Sequence, residues 1–293
     1  MVRKSFKIIG YSAAGLSLLA ILGFVFYVYL FYPRHAESFE FSTAQPKQKI
    51  LIATQSSEFK NTLVQTLCDS LKELPVHVQG RDVSDLEEVR VEAWDKILIV
   101  NTFMIRFNKD VERFLERSNS AENVLVLVTS GGNDWLPHTK LKVDALTSAS
   151  RTVNISGLVK LITDWLNDDN KQPWIPEDYL LALKFLPRMD VQKACVAISS
   201  EQENYKKQNP DLVQQINSIG YQFLRLNKTK SALQVFRLNV ELFPEHWNVF
   251  DSYGEALALN GDVPQAIINY KHALKLNPDS RSAQEMLSEL ESR

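Results

Sequence analysis

With 33 Lys and Arg against 35 Asp and Glu, the 293-residue chain carries a net charge of −2, so it lacks the basic excess that phosphate-backbone binding requires, which argues against nucleic acid as the main partner. Hydrophobic residues at 45% and charged residues at 23% are globular values and argue against wholesale disorder. Two cysteines, Cys68 and Cys195, and five scattered histidines without an HExxH or a His–Cys cluster argue against a disulfide scaffold or a cysteine-built zinc site.

The first element departs from these averages. Ile8 to Tyr32 is uncharged, and a helix of that length spans about 37 Å against a hydrocarbon core of about 30 Å. Its aromatic residues gather toward the end (Phe24, Phe26, Tyr27, Tyr29, Phe31 and Tyr32), as an interfacial belt does. No small-residue cleavage site follows, because the chain continues Pro33-Arg34-His35; a retained signal anchor over 8–32 is expected rather than a cleaved peptide. Arg3, Lys4 and Lys7 precede it, so residues 1–7 form a short cytoplasmic tail and 33–293 face away from the cytoplasm. A single-pass protein of a bacterial inner membrane fits that order. Residues 33–48 read as a polar tether.

From 49 to 168 short apolar runs alternate with amphipathic stretches. Ile50–Ala53, Val76–Val78, Lys96–Val100, Asn123–Val128 and Lys142–Ala145 read as strands. Glu58–Glu73, Lys109–Arg117 and Ile155–Leu166 read as helices between and after them. Continuous apolar strands separated by helices indicate a parallel sheet covered on both faces. With right-handed crossovers the order is the doubly wound 2-1-3-4-5.

This portion resembles the flavodoxin-like family, through its topology and through the loop Thr54-Gln55-Ser56-Ser57-Glu58-Phe59-Lys60-Asn61. The resemblance implies FMN as cofactor, with Thr54, Ser56, Ser57 and Asn61 as donors to its phosphate. The loop lacks the family's glycine and places Glu58 where the anion would approach. The other reading is that Ser56 or Ser57 caps the helix, with Glu58 in its first turn. Loops after the third and fourth strands would flank the flavin ring, offering Phe103, Phe107 and Trp135 for stacking and Gly131-Gly132 for close backbone approach. Separately, Val143 to Ser150 resembles a signature of exported proteins that carry FMN on a hydroxyl, which implies Ser150 as the attachment point, although Ser148 replaces the signature's glycine. No Gly-x-Ser-x-Gly elbow and no Cys-x-x-Cys is found, so nucleophilic catalysis is not expected.

Beyond a linker around Asp168–Pro173 the pattern becomes wholly helical. Pro210, Pro244 and Pro278 recur at a spacing of 34 residues, and 211–244 aligns with 245–278 without a gap. Ile219-Gly220 matches Tyr253-Gly254, Phe223 matches Leu257, Ala232 matches Ala266, and Phe236 matches Tyr270. Small residues at these positions let two helices approach, large ones fill between them, and proline ends the second. Residues 177–293 thus resemble the tetratricopeptide-repeat family. Residues 177–210, with two helical stretches, form a degenerate first repeat, and 281–291 a closing helix.

The family's groove, carried over by position, implies Gln214, Asn217, Tyr221 and Leu224, then Asn248, Asp251, Glu255 and Ala258. None is Lys or Arg, so a clamp for a terminal carboxylate is not expected. The expected function is a membrane-anchored adaptor or scaffold that binds a protein or peptide in this groove, with self-association also open. The alternative is a membrane-tethered flavin-binding electron-transfer protein or reductase.

Overall fold

The structure, a computed structural model, describes residues 22–23, 34–102, 108–118, 122–130, 144–168, 174, 176–186 and 189–292. Apart from Leu22 and Gly23, the expected anchor and cytoplasmic tail lie outside them, and among the described residues no helix is long and apolar enough to cross a membrane.

The stretch expected as a tether is instead part of the sheet. Arg34–His35 form β1 and Phe39–Ser42 form β2. Phe-Glu-Phe-Ser alternates apolar and polar residues at the period of a half-buried strand. Phe39 and Phe41 pack against the core beneath them, while Glu40 faces solvent. β2 lies antiparallel to β4 (Val76–Asp82), with Phe39 opposite Gly80. A Cβ at Gly80 would overlap the Phe39 ring, so the glycine makes room for it. β1 pairs antiparallel with the end of β3 (Gln48–Ser56), and the Asp82 carboxylate holds its exit by accepting from the Ala36 N–H at 2.7 Å.

The remaining strands are parallel: β3, β4, β5 (Lys96–Thr102), β6 (Val124–Ser130) and β7 (Asp144–Ala149). The spatial order β2-β4-β3-β5-β6-β7 contains the expected parallel 2-1-3-4-5, but the two added strands make the sheet mixed. Helices α1 (Glu58–Leu71) and α3 (Ile155–Asn167) cover one face, burying Leu63, Leu67, Leu71, Ile162 and Trp165. On the other face, α2 (Lys109–Arg117) buries Val111, Phe114 and Leu115. Because both faces are covered, the central strands are apolar over Ile97–Val100 and Val124–Val128.

The region expected as a two-helix degenerate repeat contains three short helices: α4 (Tyr179–Phe185), α5 (Val191–Ser200) and α6 (Gln202–Gln208). Asp178 and Asp190 cap the first two, accepting from the N–H groups of Leu181 and Lys193, which is why the chain restarts a helix at each. α4 belongs to two cores at once. Leu180 and Leu183 enter the core of the repeats, whereas Phe185 and Leu181 join the α/β core. Gly157 of α3 permits this contact: a Cβ there would stand 3.0 Å from the Leu181 side chain.

Two helix pairs follow, α7 (Leu212–Arg225) with α8 (Thr229–Leu242), and α9 (Trp247–Leu259) with α10 (Val263–Leu276). A Cβ at Gly220 would lie 2.5 Å from the Phe236 ring, and one at Gly254 3.2 Å from Tyr270. The matched glycines therefore face the matched aromatics. The turns also correspond, since Asn227 (φ 55°) and Gly261 (φ 85°), one period apart, both take the left-handed conformation. α11 (Arg281–Glu291) begins one period after α9 and occupies the place of a third first helix.

Candidate functional site

The first helices of successive repeats, α7, α9 and α11, are joined by a polar ladder. Asn217 Nδ2 donates to Asn248 Oδ1 at 3.4 Å. The Tyr221 hydroxyl lies 3.2 Å from Ser252 Oγ and donates to the Glu255 carboxylate at 2.8 Å. The Ser282 hydroxyl donates to Asp251 at 3.2 Å. Five of the eight groove residues expected from sequence lie in this ladder: Asn217, Tyr221, Asn248, Asp251 and Glu255. Gln214 is exposed beside it, and Leu224 and Ala258 are half-buried against the repeat cores. Ser252 and Ser282 are not among the expected positions, although Ser282 stands one period after Asn248.

The ladder is acidic. Asp251 is only 7% exposed, and that burial raises its carboxyl pKa above the ordinary value. The Ser282 hydrogen bond partly offsets the rise and the neighbouring Glu255 charge adds to it. Burial likewise pushes the Tyr221 phenol up, against the pull of Ser252, and Glu255 pushes it further. Asn217 Oδ1 is buried without a hydrogen-bond partner, an acceptor left over after the ladder is made.

The expected flavin residues are dispersed in their roles. Ser57 is the N-cap of α1, its hydroxyl accepting from the Lys60 N–H at 3.3 Å, so the capping alternative describes it. Ser56 and Asn61 hydrogen-bond each other, with Nδ2 to Oγ at 3.2 Å. The Thr54 hydroxyl donates to the Gln55 carbonyl at 2.9 Å. Ser150 is exposed just beyond β7, its N–H donating to the Ser130 carbonyl at 2.9 Å. Phe103, Phe107, Gly131, Gly132 and Trp135 lie outside the described residues. Among the described residues no cluster of His, Cys, Asp and Glu is arranged to hold a metal. Lys60 is not among the residues that the sequence singles out. Its visible signal is the spelling Ser57-Glu58-Phe59-Lys60, a Ser-x-x-Lys pattern, but an amphipathic helix normally exposes its lysines.

Antiparallel helix pairs repeating every 34 residues, with a small residue facing an aromatic in each, define a tetratricopeptide-repeat-like array. Solved structures similar to the chain include the first TPR of Spaghetti (RPAP3) bound to an HSP90 peptide, 18% identical over 35% of this chain and 78% of that chain, with a TM-score of 0.28. The second TPR domain of human RPAP3 in complex with an HSP70 peptide is 16% identical over 35% of this chain and 82% of that chain, with a TM-score of 0.28. A point mutant of MamA is 20% identical over 39% of this chain and 78% of that chain, with a TM-score of 0.30. No protein-family model and no curated protein matches the chain.

Proposed function

We propose that this chain is a protein-binding adaptor whose repeats hold a peptide segment along α7, α9 and α11. The observation that carries the reading is the polar ladder. It lines up hydrogen-bonding side chains from three consecutive first helices and leaves Asn217 with a buried spare acceptor. The charged groups at the eight positions are the half-buried Glu255 and the buried Asp251, with no cation among them, so the favoured segment carries Lys or Arg. The uncharged stretch Ile8–Tyr32 supports attachment of the adaptor to a bilayer, with the repeats held outside the cytoplasm.

An array of Lys/Arg-rich and Asp/Glu-rich peptides, probed with the full chain and with an Asp251→Asn/Glu255→Gln variant, tests the reading. Retention of basic peptides by the wild type and their loss from the variant is expected. Equal retention by both proteins, or retention of acidic peptides alone, would reject it.

A further inference from the structure

A lysine in the α/β half lies away from the groove and is used by nothing described so far. Lys60, in the first turn of α1, is 2% exposed. Its ammonium donates to Thr102 Oγ1 at the carboxyl end of β5, and among the described residues no carboxylate pairs with it. Burial alone lowers its pKa, to about 8, so at neutral pH the group is still mostly charged. A charge removed from water without a counter-charge is costly.

The surroundings are those of a ligand site. In the parallel register Thr102 stands beside Thr129, and Thr129 beside Ser148. Hydroxyls from three adjacent strands therefore form a row on the face that α1 and α3 cover. Thr129 is 0% exposed and Ser148 4%. Thr129 donates to the Asn101 carbonyl and Ser148 to the Ala149 carbonyl, which fixes the row. Thr102 accepts from Lys60 and so keeps its own proton to donate. This strand end holds a buried cation beside a hydroxyl that still has its proton to donate. It also adjoins the switch point: the chain leaves β3 for β4 on one side while β5 lies on the other, and open α/β sheets bind ligands there.

We propose that Lys60 and Thr102 bind an oxyanion, the phosphate or carboxylate group of a small ligand, at the carboxyl end of β5. The ammonium supplies the counter-charge and the Thr102 hydroxyl a directed donor. The amino end of α1 adds its dipole in the same sense.

The test is thermal melting of the full chain in mild detergent, with inorganic phosphate and with acetate, each against chloride at matched ionic strength. A rise in Tm of roughly 5 °C at saturation with either anion is expected, and the stronger response tells phosphate from carboxylate. Lys60→Met should abolish the rise. Thr102→Val, which keeps the lysine, should weaken the apparent affinity about tenfold. Absence of a rise with both anions, or a rise unchanged in the variants, overturns the proposal. If Lys60→Met does not fold, Thr102→Val decides the matter alone.

Discussion

Tyr221 and Glu255 stand 34 residues apart, one repeat, and meet directly, the phenol donating to the carboxylate at 2.8 Å. The bond ties the first helix of one repeat to that of the next. Tyr221→Phe keeps the ring against Phe236, a 5.1 Å edge-to-face contact, and deletes the hydroxyl alone. A loss of about 1–2 kcal/mol is expected, because the acceptor is charged. Urea denaturation of Tyr221→Phe, Glu255→Gln and the double variant gives the coupling; additive losses would show that the bond does not join the repeats.

The two matched glycines should respond differently to alanine. At Gly220 the added methyl meets the Phe236 ring at 2.5 Å, whereas at Gly254 it meets Tyr270 at 3.2 Å. Alanine gains roughly 1 kcal/mol over glycine in a helix interior, while overpacking costs about 1–3 kcal/mol. Gly220→Ala should therefore lower the urea midpoint, and Gly254→Ala should leave it near the wild-type value. Phe236→Leu added to Gly220→Ala should recover part of the loss.

The raised pKa of Asp251 has a definite sign in stability. The folded state holds the proton more tightly than the unfolded chain. Its contribution is full below the ordinary aspartate value of about 3.9 and declines as pH rises through the folded value, above which it stays lost. Asp251→Asn removes this dependence and keeps a partner for Ser282. The stability of the variant relative to wild type should grow as pH is raised from about 4 and then level off. Denaturation midpoints taken across that range provide the check, and a difference that does not vary with pH would refute the assignment.

Neither cysteine should react while the chain is folded. Burial pushes the Cys68 thiol to about 11 and the Cys195 thiol to about 12, so at pH 8 roughly a thousandth or less of either is thiolate. Iodoacetamide labelling followed by mass spectrometry should find both sites free in native protein and modified in urea.

Much of the architecture is legible because burial writes it into local patterns. The parallel strand order follows from strands such as Val124–Ser130, apolar on both faces from Val124 to Val128. The repeats are legible because Gly220 with Phe236 and Gly254 with Tyr270 are the same contact made twice. β2 escapes a reading of the sequence because four residues of alternating Phe beside a long apolar stretch resemble the end of a tether; what makes them a strand is Gly80, 41 residues further on from Phe39. The last strand, expected at Lys142–Ala145, runs on to Ala149, since Thr147 and Ser148 are buried despite their hydroxyls; Lys142 and Val143 lie outside the described residues. Of the two ladder serines, Ser282 follows from the repeat period, one repeat after Asn248, whereas Ser252 does not, and neither pairing does. They meet partners at an offset of 31 residues, one helical turn short of 34, which depends on how neighbouring helices are staggered. Lys60 defies the expectation that a lysine in an amphipathic helix faces water.

The double allegiance of α4 sets how the molecule comes apart. Its Leu180 and Leu183 sit in one core and its Phe185 in the other, so neither half can melt without exposing apolar surface of its neighbour. The sheet and the helical array should therefore lose structure in one cooperative step. Anything that tightens one half would then be felt as heat resistance in the other.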